Sequence, residues 1–353
     1  MIKESIQKLV NKTDLTHEES TASMTEIMSG EATNAQIGAF LTALRMKGET
    51  SNEITAFTSV MKECSHRIHP NVKGRLIDTC GTGGDKVKTF NISTTAAFVA
   101  AGAKVAVAKH GNRSVTSKCG SADVLEKLGL NLNIEPKTVE KAIEKVGIGF
   151  MFAPAFHPAM KYAISPRREL SIRTVFNVLG PLTNPAGASA QLLGVYDRRL
   201  TEPLAYSLKS LGCEEAMVVH GLDGLDEIST IGKTAVSWLR NGTVVTKEML
   251  PKDFGVRKAK MNDIRGAGVD ENAEITFKIL IGYCGLNNVR REIVLLNGAA
   301  AIIVAGKAED FDYGMELANE SIESGSAYKK LKELVKFSHG DLSKLEELEN
   351  THA

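Results

Sequence analysis

The sequence lacks the cysteine pattern of a cross-linked or zinc-binding protein. Its five cysteines are scattered along 353 residues, and none stands in a C-x-x-C pair. This spacing speaks against a disulfide framework and a cysteine zinc site, and is typical of reduced thiols in the cytoplasm. An excess of one charge is also missing, since the net charge is +1. We therefore expect no surface dedicated to nucleic acid or to membranes.

Long hydrophobic runs are equally absent. The longest, residues 293–305, is interrupted by Asn297 and is too short to cross a bilayer. The first residues lack the apolar core of a signal peptide, which again predicts a cytoplasmic protein. What the chain does have is 43% hydrophobic and 24% charged residues, enough to bury a core in one large or two ordinary domains.

Residues 1–70 have the pattern of a small all-helical domain. Capping boxes, in which a threonine precedes glutamate or glutamine by three positions, begin at Thr16, Thr33 and Thr50. One-sided apolar stripes follow the second and third boxes. Such stripes are typical of core or dimer contacts, so we expect no catalytic residue in this segment.

From Arg75 onward, short β-rich runs alternate with helical segments, which predicts a mostly parallel sheet covered on both faces. The Asn241-Gly242 pair predicts a hairpin and hence an antiparallel edge. The predicted strands are 76–79, 105–108, 149–152, 192–196, 216–219, 234–239 and 243–247, and the predicted helices between them include 121–128, 136–146 and 201–211. The fold class is therefore α/β, with the small all-helical domain followed by a larger α/β domain over residues 75–345.

The most informative motif is a glycine loop between a predicted strand and a predicted helix. Residues 78–85 read Asp-Thr-Cys-Gly-Thr-Gly-Gly-Asp, and residues 91–94, Asn-Ile-Ser-Thr, begin an alanine-rich helix. Free N–H groups and the helix dipole at such a junction favour phosphate. Lys86 replaces the third glycine of a dinucleotide fingerprint, and no Walker sequence follows. Asp85 suits hydroxyls or metal-bound water, so a sugar phosphate is indicated. A plain tight turn is the alternative.

A second polar loop follows the next predicted strand. Residues 109–118 read Lys-His-Gly-Asn-Arg-Ser-Val-Thr-Ser-Lys. Open α/β sheets bind ligands at the carboxyl ends of their strands, where this loop is expected. Arg113 and Lys118 can neutralise phosphate, and the hydroxyls can donate to its oxygens. The alternative is a solvated basic loop.

Two further groups are candidates for substrate and metal. Asp226 and Glu227 are adjacent carboxylates that can both reach a hard cation, although such a pair can equally begin the next element. Arg167 follows Pro166, which predicts a helix start with Arg167 in its first turn. A guanidinium matches a carboxylate with two parallel hydrogen bonds, and Arg168 and Arg173 offer the same chemistry.

Several of these segments together resemble the anthranilate phosphoribosyltransferase family, over roughly residues 1–340. Lys86 departs from the glycine often expected there, and small polar residues replace others in the second loop at Ser114, Thr116 and Cys119. The segments that carry the resemblance are 80–85, 89–94, 109–113, 120–125, 166–185 and 220–227.

The resemblance implies a nucleoside phosphorylase/phosphoribosyltransferase-like fold, in which residues 166–185 pack onto the helical domain, and a homodimer. It implies transfer of the phosphoribosyl group of 5-phosphoribosyl 1-diphosphate (PRPP) to anthranilate, with Mg²⁺, in tryptophan biosynthesis. The implied anthranilate site is Gly81, His110, Asn112, Arg167 and Pro181, with His110 as the catalytic candidate. The implied PRPP site is Gly81, Gly84, Asp85, Thr89, Asn91, Ser93, Thr94, Lys109, Asn112, Arg113, Ser117 and Ser121. The implied metal ligands are Ser93, Asp226 and Glu227, while His157 and His220 are predicted to be structural.

Two other functions are compatible with this architecture. A pyrimidine nucleoside phosphorylase shares the helical and α/β parts, but we would expect a different basic loop without Lys-His-Gly-Asn-Arg. A catalytically silent relative that binds nucleic acid would show a basic surface and damaged motifs, whereas this chain has a net charge of +1 and intact motifs.

Overall fold

Four helices open the chain, and strands alternate with helices after them. A computed structural model describes residues 1–84, 87–114, 119–285 and 288–352. Its strands are β1 (Leu76–Gly81), β2 (Ala106–Gly111), β3 (Ile148–Phe152), β4 (Ala190–Gly194), β5 (Glu215–Gly221), β6 (Thr234–Arg240) and β7 (Thr243–Met249). Its α-helices are α1 (Ile2–Val10), α2 (His17–Ser29), α3 (Asn34–Lys47), α4 (Ser51–Glu63), α5 (Ile92–Gly102), α6 (Ser121–Lys127), α7 (Pro136–Val146), α8 (Ala153–Phe156), α9 (Lys161–Leu170), α10 (Phe176–Leu182), α11 (Thr201–Ser210), α12 (Val269–Leu280), α13 (Val289–Val304), α14 (Phe311–Glu323), α15 (Ser326–Phe337) and α16 (Ser343–His352).

The strands form one sheet in the order β3-β2-β1-β4-β5-β6-β7. The first five are parallel, and β6 and β7 are antiparallel. Asn241 and Gly242 turn the β6–β7 hairpin with positive φ angles of 50° and 71°, as this pair favours. The α/β fold class and the mostly parallel sheet are thus confirmed.

Several strands extend beyond their predicted ends, and the extension of β2 changes the position of two site residues. β2 continues to Gly111, which lies opposite Phe152 of β3. Lys109 and His110, predicted to lie in a loop, are therefore strand residues, because their backbone pairing with β3 persists while their side chains are buried.

Both faces of the sheet are covered, as predicted. Neighbouring residues of β4 show the alternation, since Leu192 packs into the core beneath α5 and α13, whereas Leu193 packs into the core shared with the N-terminal helices. The helices after α11, which were not individually predicted, supply much of the core that contains Leu192. Parallel strands are expected to be buried in this way on both sides. No α-helix among the described residues is long and apolar enough to cross a membrane.

The N-terminal helices begin where the sequence predicts. Thr16, Thr33 and Thr50 each form a capping box with the residue three positions later. Their apolar faces share a core with Ala163 of α9 and with several residues of α10. α9 packs directly against α2 and α3.

The segment around Arg167 differs from the prediction. Pro166 lies inside α9 and Arg167 in its last turn, and α10 is a separate helix that begins at Phe176. A proline inside a helix removes one backbone hydrogen bond. Pro166 is buried, and we infer that its packing outweighs the lost bond. Ser171, with a left-handed φ of 52°, ends α9 before α10 begins.

The sheet order creates a crevice at one edge. β1 lies between β2 and β4. The connection after β1 leads to β2 on one side of it, whereas the chain later continues to β4 on the other side, so the direction of the strand order reverses at β1. Ligands of open α/β sheets bind at such a reversal, outside the carboxyl ends of the strands. The glycine loop after β1 and the Asp226–Glu227 segment after β5 both emerge at this edge.

Candidate active site

The segment that carries Asp226 crosses very closely over the ends of β1 and β4. A Cβ atom added at Gly194 would stand 1.6 Å from the carbonyl oxygen of Asp226. One added at Gly81 would stand 2.8 Å from Oδ2 of the same residue. Only glycine fits at Gly194 without moving backbone, so the end of β4 is shaped to receive this crossing.

The crossing brings two carboxylates onto the backbone of the glycine loop and of α5. Gly83 N donates to Oδ2 of Asp226 at 3.1 Å, and Ser93 N donates to Oε1 of Glu227 at 3.1 Å. Glu227 is buried. The N–H groups of this junction therefore hold negatively charged oxygens, as expected for a loop before a helix N-terminus.

These carboxylates fit a hard divalent cation that is shared with a ligand. Mg²⁺ prefers oxygen ligands and usually takes one or two carboxylates, completing its shell with water and substrate phosphate. No cluster of three or more histidine, cysteine, aspartate or glutamate side chains suited to a metal occurs in the described part of the chain. Asp226, Glu227 and the hydroxyl of Ser93 match the sparse donor set of a metal that the substrate helps to hold.

The start of α5 lies next to this acidic pair. Asn91 is its N-cap residue, although its side chain makes no capping hydrogen bond. Thr94 lies in the first turn of α5 and is buried. Thr79 Oγ1 donates to Ser93 O at 3.0 Å and ties the helix start to β1.

The glycine loop is also held from the other side. Gly84 O accepts a hydrogen bond from Arg173 at 2.7 Å, and a Cβ at Gly84 would meet that guanidinium. Arg173 lies over the ring of Tyr196, 4.1 Å from its centroid. Thr89, the next predicted residue, forms an isolated bridge with Arg265. Asp85 lies outside the described residues.

A layer of buried polar groups supports the strand ends from below. Asp78 is fully buried, accepting from His110 N at 3.2 Å and from Asn184 Nδ2 at 2.8 Å. Burial raises the pKa of Asp78 to about 6, and the nearby charge of Lys109 acts in the opposite direction. Lys109 Nζ donates to Thr79 O.

Lys109 is the buried cation of this layer. Burial lowers the pKa of Lys109, while the negative charge of Asp78 and the more distant charge of Glu227 act in the opposite direction. An anion that binds above the strand ends would favour its charged form.

His110 and His157 form a buried pair. Their ring centroids lie 5.0 Å apart, and Nε2 of neither ring has a hydrogen-bond partner among the described residues. Burial lowers the pKa of His110 to about 3 and that of His157 to about 4. Both rings are neutral at neutral pH, and such a weakly basic imidazole is a poor proton acceptor.

α10 connects the predicted aromatic pocket to the sheet. Phe176 at its start lies under Arg167, whose guanidinium carbon is 5.1 Å from the ring centroid. The backbone of Gly180 hydrogen-bonds His110. Pro181 is buried, and its carbonyl accepts from Gln191 Nε2 at 2.7 Å.

Arg167 has the environment of an anion receptor. It is half-buried, and burial lowers the pKa of its guanidinium. No carboxylate among the described residues forms an ion pair with it, whereas the neighbouring Arg168 is exposed. A desolvated cation of this kind gains more from an incoming carboxylate than an exposed one does.

The second loop turns back onto α6. Asn112 O accepts from Ser121 Oγ at 3.3 Å, and Asn112 Oδ1 accepts from Arg113 N at 2.8 Å. The Arg113 guanidinium pairs with Glu126 at 2.7 and 2.9 Å and with Asp123 at 3.1 Å. It faces these acids in the described structure, so reaching a phosphate requires it to leave them. Thr116, Ser117 and Lys118 lie outside the described residues.

Three buried polar residues at the site were not predicted as site residues from the sequence. Asp78, Asn184 and Gln191 all hold other site residues through buried side-chain hydrogen bonds. A carboxylate three positions before the first glycine of the motif, near the end of a predicted strand, was the available signal for Asp78. His157, predicted to be structural, contacts His110, while His220 hydrogen-bonds Val195 O at 2.7 Å.

Two parts of the chain match protein-family models separately. Residues 73–328 match the α/β domain of a glycosyl transferase family. Residues 3–65 match the helical bundle domain of the same family.

Relatives of known identity match nearly the full length. Anthranilate phosphoribosyltransferase from Acetivibrio thermocellus is 52% identical over 343 residues, which cover 97% of this chain and 98% of the relative. The enzyme of the same name from Methanocorpusculum labreanum is 54% identical, with 96% and 99% covered.

Solved structures agree. Anthranilate phosphoribosyltransferase from Thermus thermophilus superposes with a TM-score of 0.88 at 39% identity, covering 95% of this chain and 99% of that one. The Saccharomyces cerevisiae enzyme, solved in complex with PRPP and Mg, gives a TM-score of 0.88 at 29% identity, with 96% and 98% covered.

The histidine pair predicts a pH dependence of stability. The unfolded chain takes up protons near pH 6.5, but the folded pKa values lie near 3 and 4. Stability is therefore present above pH 6.5 and is lost as the pH falls from there toward 4. His157→Leu should make the free energy of unfolding fall less steeply across this window, as measured by urea denaturation at several pH values. His17→Gln, at an exposed position, is the control, and an equal slope in His157→Leu and the unmodified chain would contradict the prediction.

Proposed function

The chain belongs to the anthranilate phosphoribosyltransferase family, and we propose how its substrates occupy the site. The enzyme transfers the phosphoribosyl group of 5-phosphoribosyl 1-diphosphate to the amino group of anthranilate, releasing diphosphate, in tryptophan biosynthesis. The observation that carries our proposal is that the N–H groups of Gly83 and Ser93 already hold anionic oxygens.

PRPP lies across the carboxyl ends of β1 and β4. Its diphosphate takes N–H groups of the glycine loop and of the first turn of α5, which displaces the two carboxylates. Lys109 stabilises the added negative charge from below. The proposed PRPP residues are Gly81, Gly84, Asp85, Thr89, Asn91, Ser93, Thr94, Lys109, Asn112, Arg113, Ser117 and Ser121.

Mg²⁺ is the proposed cofactor, held by Asp226, Glu227 and Ser93. The yeast relative was solved with PRPP and Mg, which supports this assignment. When bound, the ion would spread the charge that develops on the diphosphate leaving group. The two carboxylates already lie beside the backbone N–H groups that the diphosphate would occupy. They would therefore need only a side-chain rotation to face the bound ligand.

Anthranilate lies between α9, α10 and the ends of β1 and β2. Arg167 pairs with its carboxylate. Gly81, Asn112 and Pro181 line the rest of the pocket with His110. A structure of the yeast relative contains 4-fluoroanthranilate, which supports a site for this class of aromatic acid.

Catalysis then rests on placement. Cleavage at an anomeric carbon passes through a transition state with oxocarbenium character, and an aromatic amine needs little activation to attack it. Holding the amine and the anomeric carbon together removes an entropic barrier, and the N–H groups stabilise the departing charge. His110 contacts substrate as a neutral, positioning ring, because its low pKa makes it a poor base.

The proposal also covers the division of the chain into domains, its location and its assembly. Residues 1–70, with residues 166–185, form the helical domain, and residues 75–345 form the α/β domain. The protein is a cytoplasmic homodimer that pairs through the helical domain. Free cysteines support the cytoplasm, and the exposure of Val10 and Met46, on the mutually packed α1 and α3, supports the pairing.

The metal assignment predicts a loss of coupling between cation and PRPP. Asp226→Asn with Glu227→Gln should abolish most turnover and the effect of Mg²⁺ on PRPP affinity, because both charged ligands are lost. The Kd for PRPP, measured by calorimetry with and without Mg²⁺, provides a readout besides activity. The control is Asp270→Asn with Glu271→Gln, which removes the same two charges from an adjacent Asp-Glu pair that is exposed on α12. Equal Mg²⁺ dependence in both double variants would sink the assignment.

The carboxylate assignment predicts a selective binding defect. Arg167→Ala should raise the KM for anthranilate about ten- to a hundredfold, the effect of removing a charged hydrogen-bond partner worth about 1.5–3 kcal/mol. The KM for PRPP should change little. Arg168→Ala is the matched control, since Arg168 is adjacent and exposed. If the control carries the defect and Arg167→Ala does not, the assignment is wrong.

The pairing surface predicts an oligomeric state. Sedimentation velocity should give the mass of two chains, and Met46→Asp should give one, because a charge would be buried at the interface. Val245→Asp, at an exposed apolar position on β7, should remain dimeric. A single-chain mass for the unmodified protein would refute the dimer.

A further inference from the structure

α12 packs against the start of α5 through polar contacts in an otherwise apolar core. Asn272 Nδ2 donates to Asn91 Oδ1 at 3.1 Å, and Thr276 and Thr95 join through their hydroxyls at 3.1 Å. Each pair is one helical turn from the other. Asn272 is 2% exposed, and both threonines are fully buried. Buried polar groups cost free energy unless every partner is in place, so this arrangement specifies one geometry.

The orientation of both amides is dictated by the backbone at each end. Ala267 N, which can only donate, faces Asn272 at 2.9 Å, so the facing atom is Oδ1. Nδ2 of Asn272 therefore faces Asn91, whose acceptor Oδ1 must meet it. Asn91 Nδ2 is left facing Cys119 O, a pure acceptor, at 3.5 Å. Each contact forces the next, so Asn272 sets the direction of the Asn91 amide.

That direction matters because Asn91 stands at the junction of the two substrate loops. It is the N-cap residue of α5, after the glycine loop, and Cys119 ends the second loop. With Oδ1 turned to Asn272 and one N–H facing Cys119 O, the Asn91 amide has one further N–H to offer a ligand. Phosphate accepts hydrogen bonds and cannot donate to a carbonyl oxygen, so a flipped amide would repel it.

We propose that Asn272, which does not itself touch substrate, is a positioning residue that turns the Asn91 amide into a donor for PRPP and links the two substrate loops. The proposal rests on the assignment of Asn91 to the PRPP site. An aliphatic residue at position 272 would leave both Ala267 N and the Asn91 amide oxygen without these partners.

The second polar contact supplies an internal control. Thr95 Oγ1 donates to Asn91 O, so Thr276 must donate to Thr95. Thr276 thus lies at the same helix interface, equally buried, without contacting the Asn91 side chain. Thr276→Val should lower stability while leaving the kinetics unchanged. A purely structural Asn272 would behave like Thr276.

The test compares steady-state constants and the Kd for PRPP with Mg²⁺, measured by calorimetry. Asn272→Ala should raise the KM and Kd for PRPP about tenfold, with the KM for anthranilate within about twofold of its original value. Asn272→Asp should be at least as harmful, because a carboxylate facing Asn91 can only accept and so forces the amide to flip. Thr276→Val should move neither constant for PRPP.

A double-mutant cycle separates this inference from the site assignment. In an Asn91→Ala background, Asn272→Ala should add no further loss of PRPP affinity, because the residue through which it acts is gone. Fully additive losses would overturn the positioning role, as would an unchanged PRPP affinity in Asn272→Ala beside a weakened Asn91→Ala. If Asn91→Ala itself leaves PRPP affinity unchanged, the assignment of Asn91 fails, and the inference fails with it.

Discussion

The site depends on the close crossing of the chain over the ends of β1 and β4. Because Gly194 has no side chain, the backbone of Asp226 can lie against β4, with the Asp226 carboxylate reaching Gly83. Glu227 then reaches the first turn of α5. One steric constraint thus brings two acidic groups to the N–H groups of a phosphate-type loop. Any side chain at Gly194 would push the acidic segment away from the loop and separate the two halves of the site.

A buried polar layer keeps this crevice in shape. Asp78 holds the backbone of β2 at His110 and the side chain of Asn184, and Lys109 is enclosed beside it. Such groups are costly to bury, and they persist because their partners are fixed by the sheet. The neutral histidine pair lies at the same edge, so positive charge comes from Lys109 and Arg167 while the wall beside them stays uncharged. We infer that this division favours a substrate with an anionic group and a flat, apolar ring.

The local elements and the motifs could be predicted from the sequence because they are governed by nearest neighbours. The capping box at Thr50 and the turn at Asn241-Gly242 are set by residues a few positions apart. Pro166 was misplaced because α9 begins five residues earlier, at Lys161, and its packing against α2 and α3 is a long-range contact. His110 was assigned to a loop because its strand pairing with β3 is a long-range contact, which the residues next to it in the sequence do not reveal. Asp78, Gln191 and Asn272 went unnoticed for the same reason, since their partners are distant in the chain.

The most direct measurement is a crystal structure of the protein with PRPP and Mg²⁺. The account predicts diphosphate oxygens about 3 Å from the backbone nitrogen atoms of Gly83 and Ser93, the ordinary hydrogen-bond distance. Asp226 and Glu227 should then have turned from these nitrogen atoms to the cation. A structure with PRPP bound away from the ends of β1 and β4, or with both carboxylates still on the backbone while the diphosphate is held elsewhere, would contradict the account.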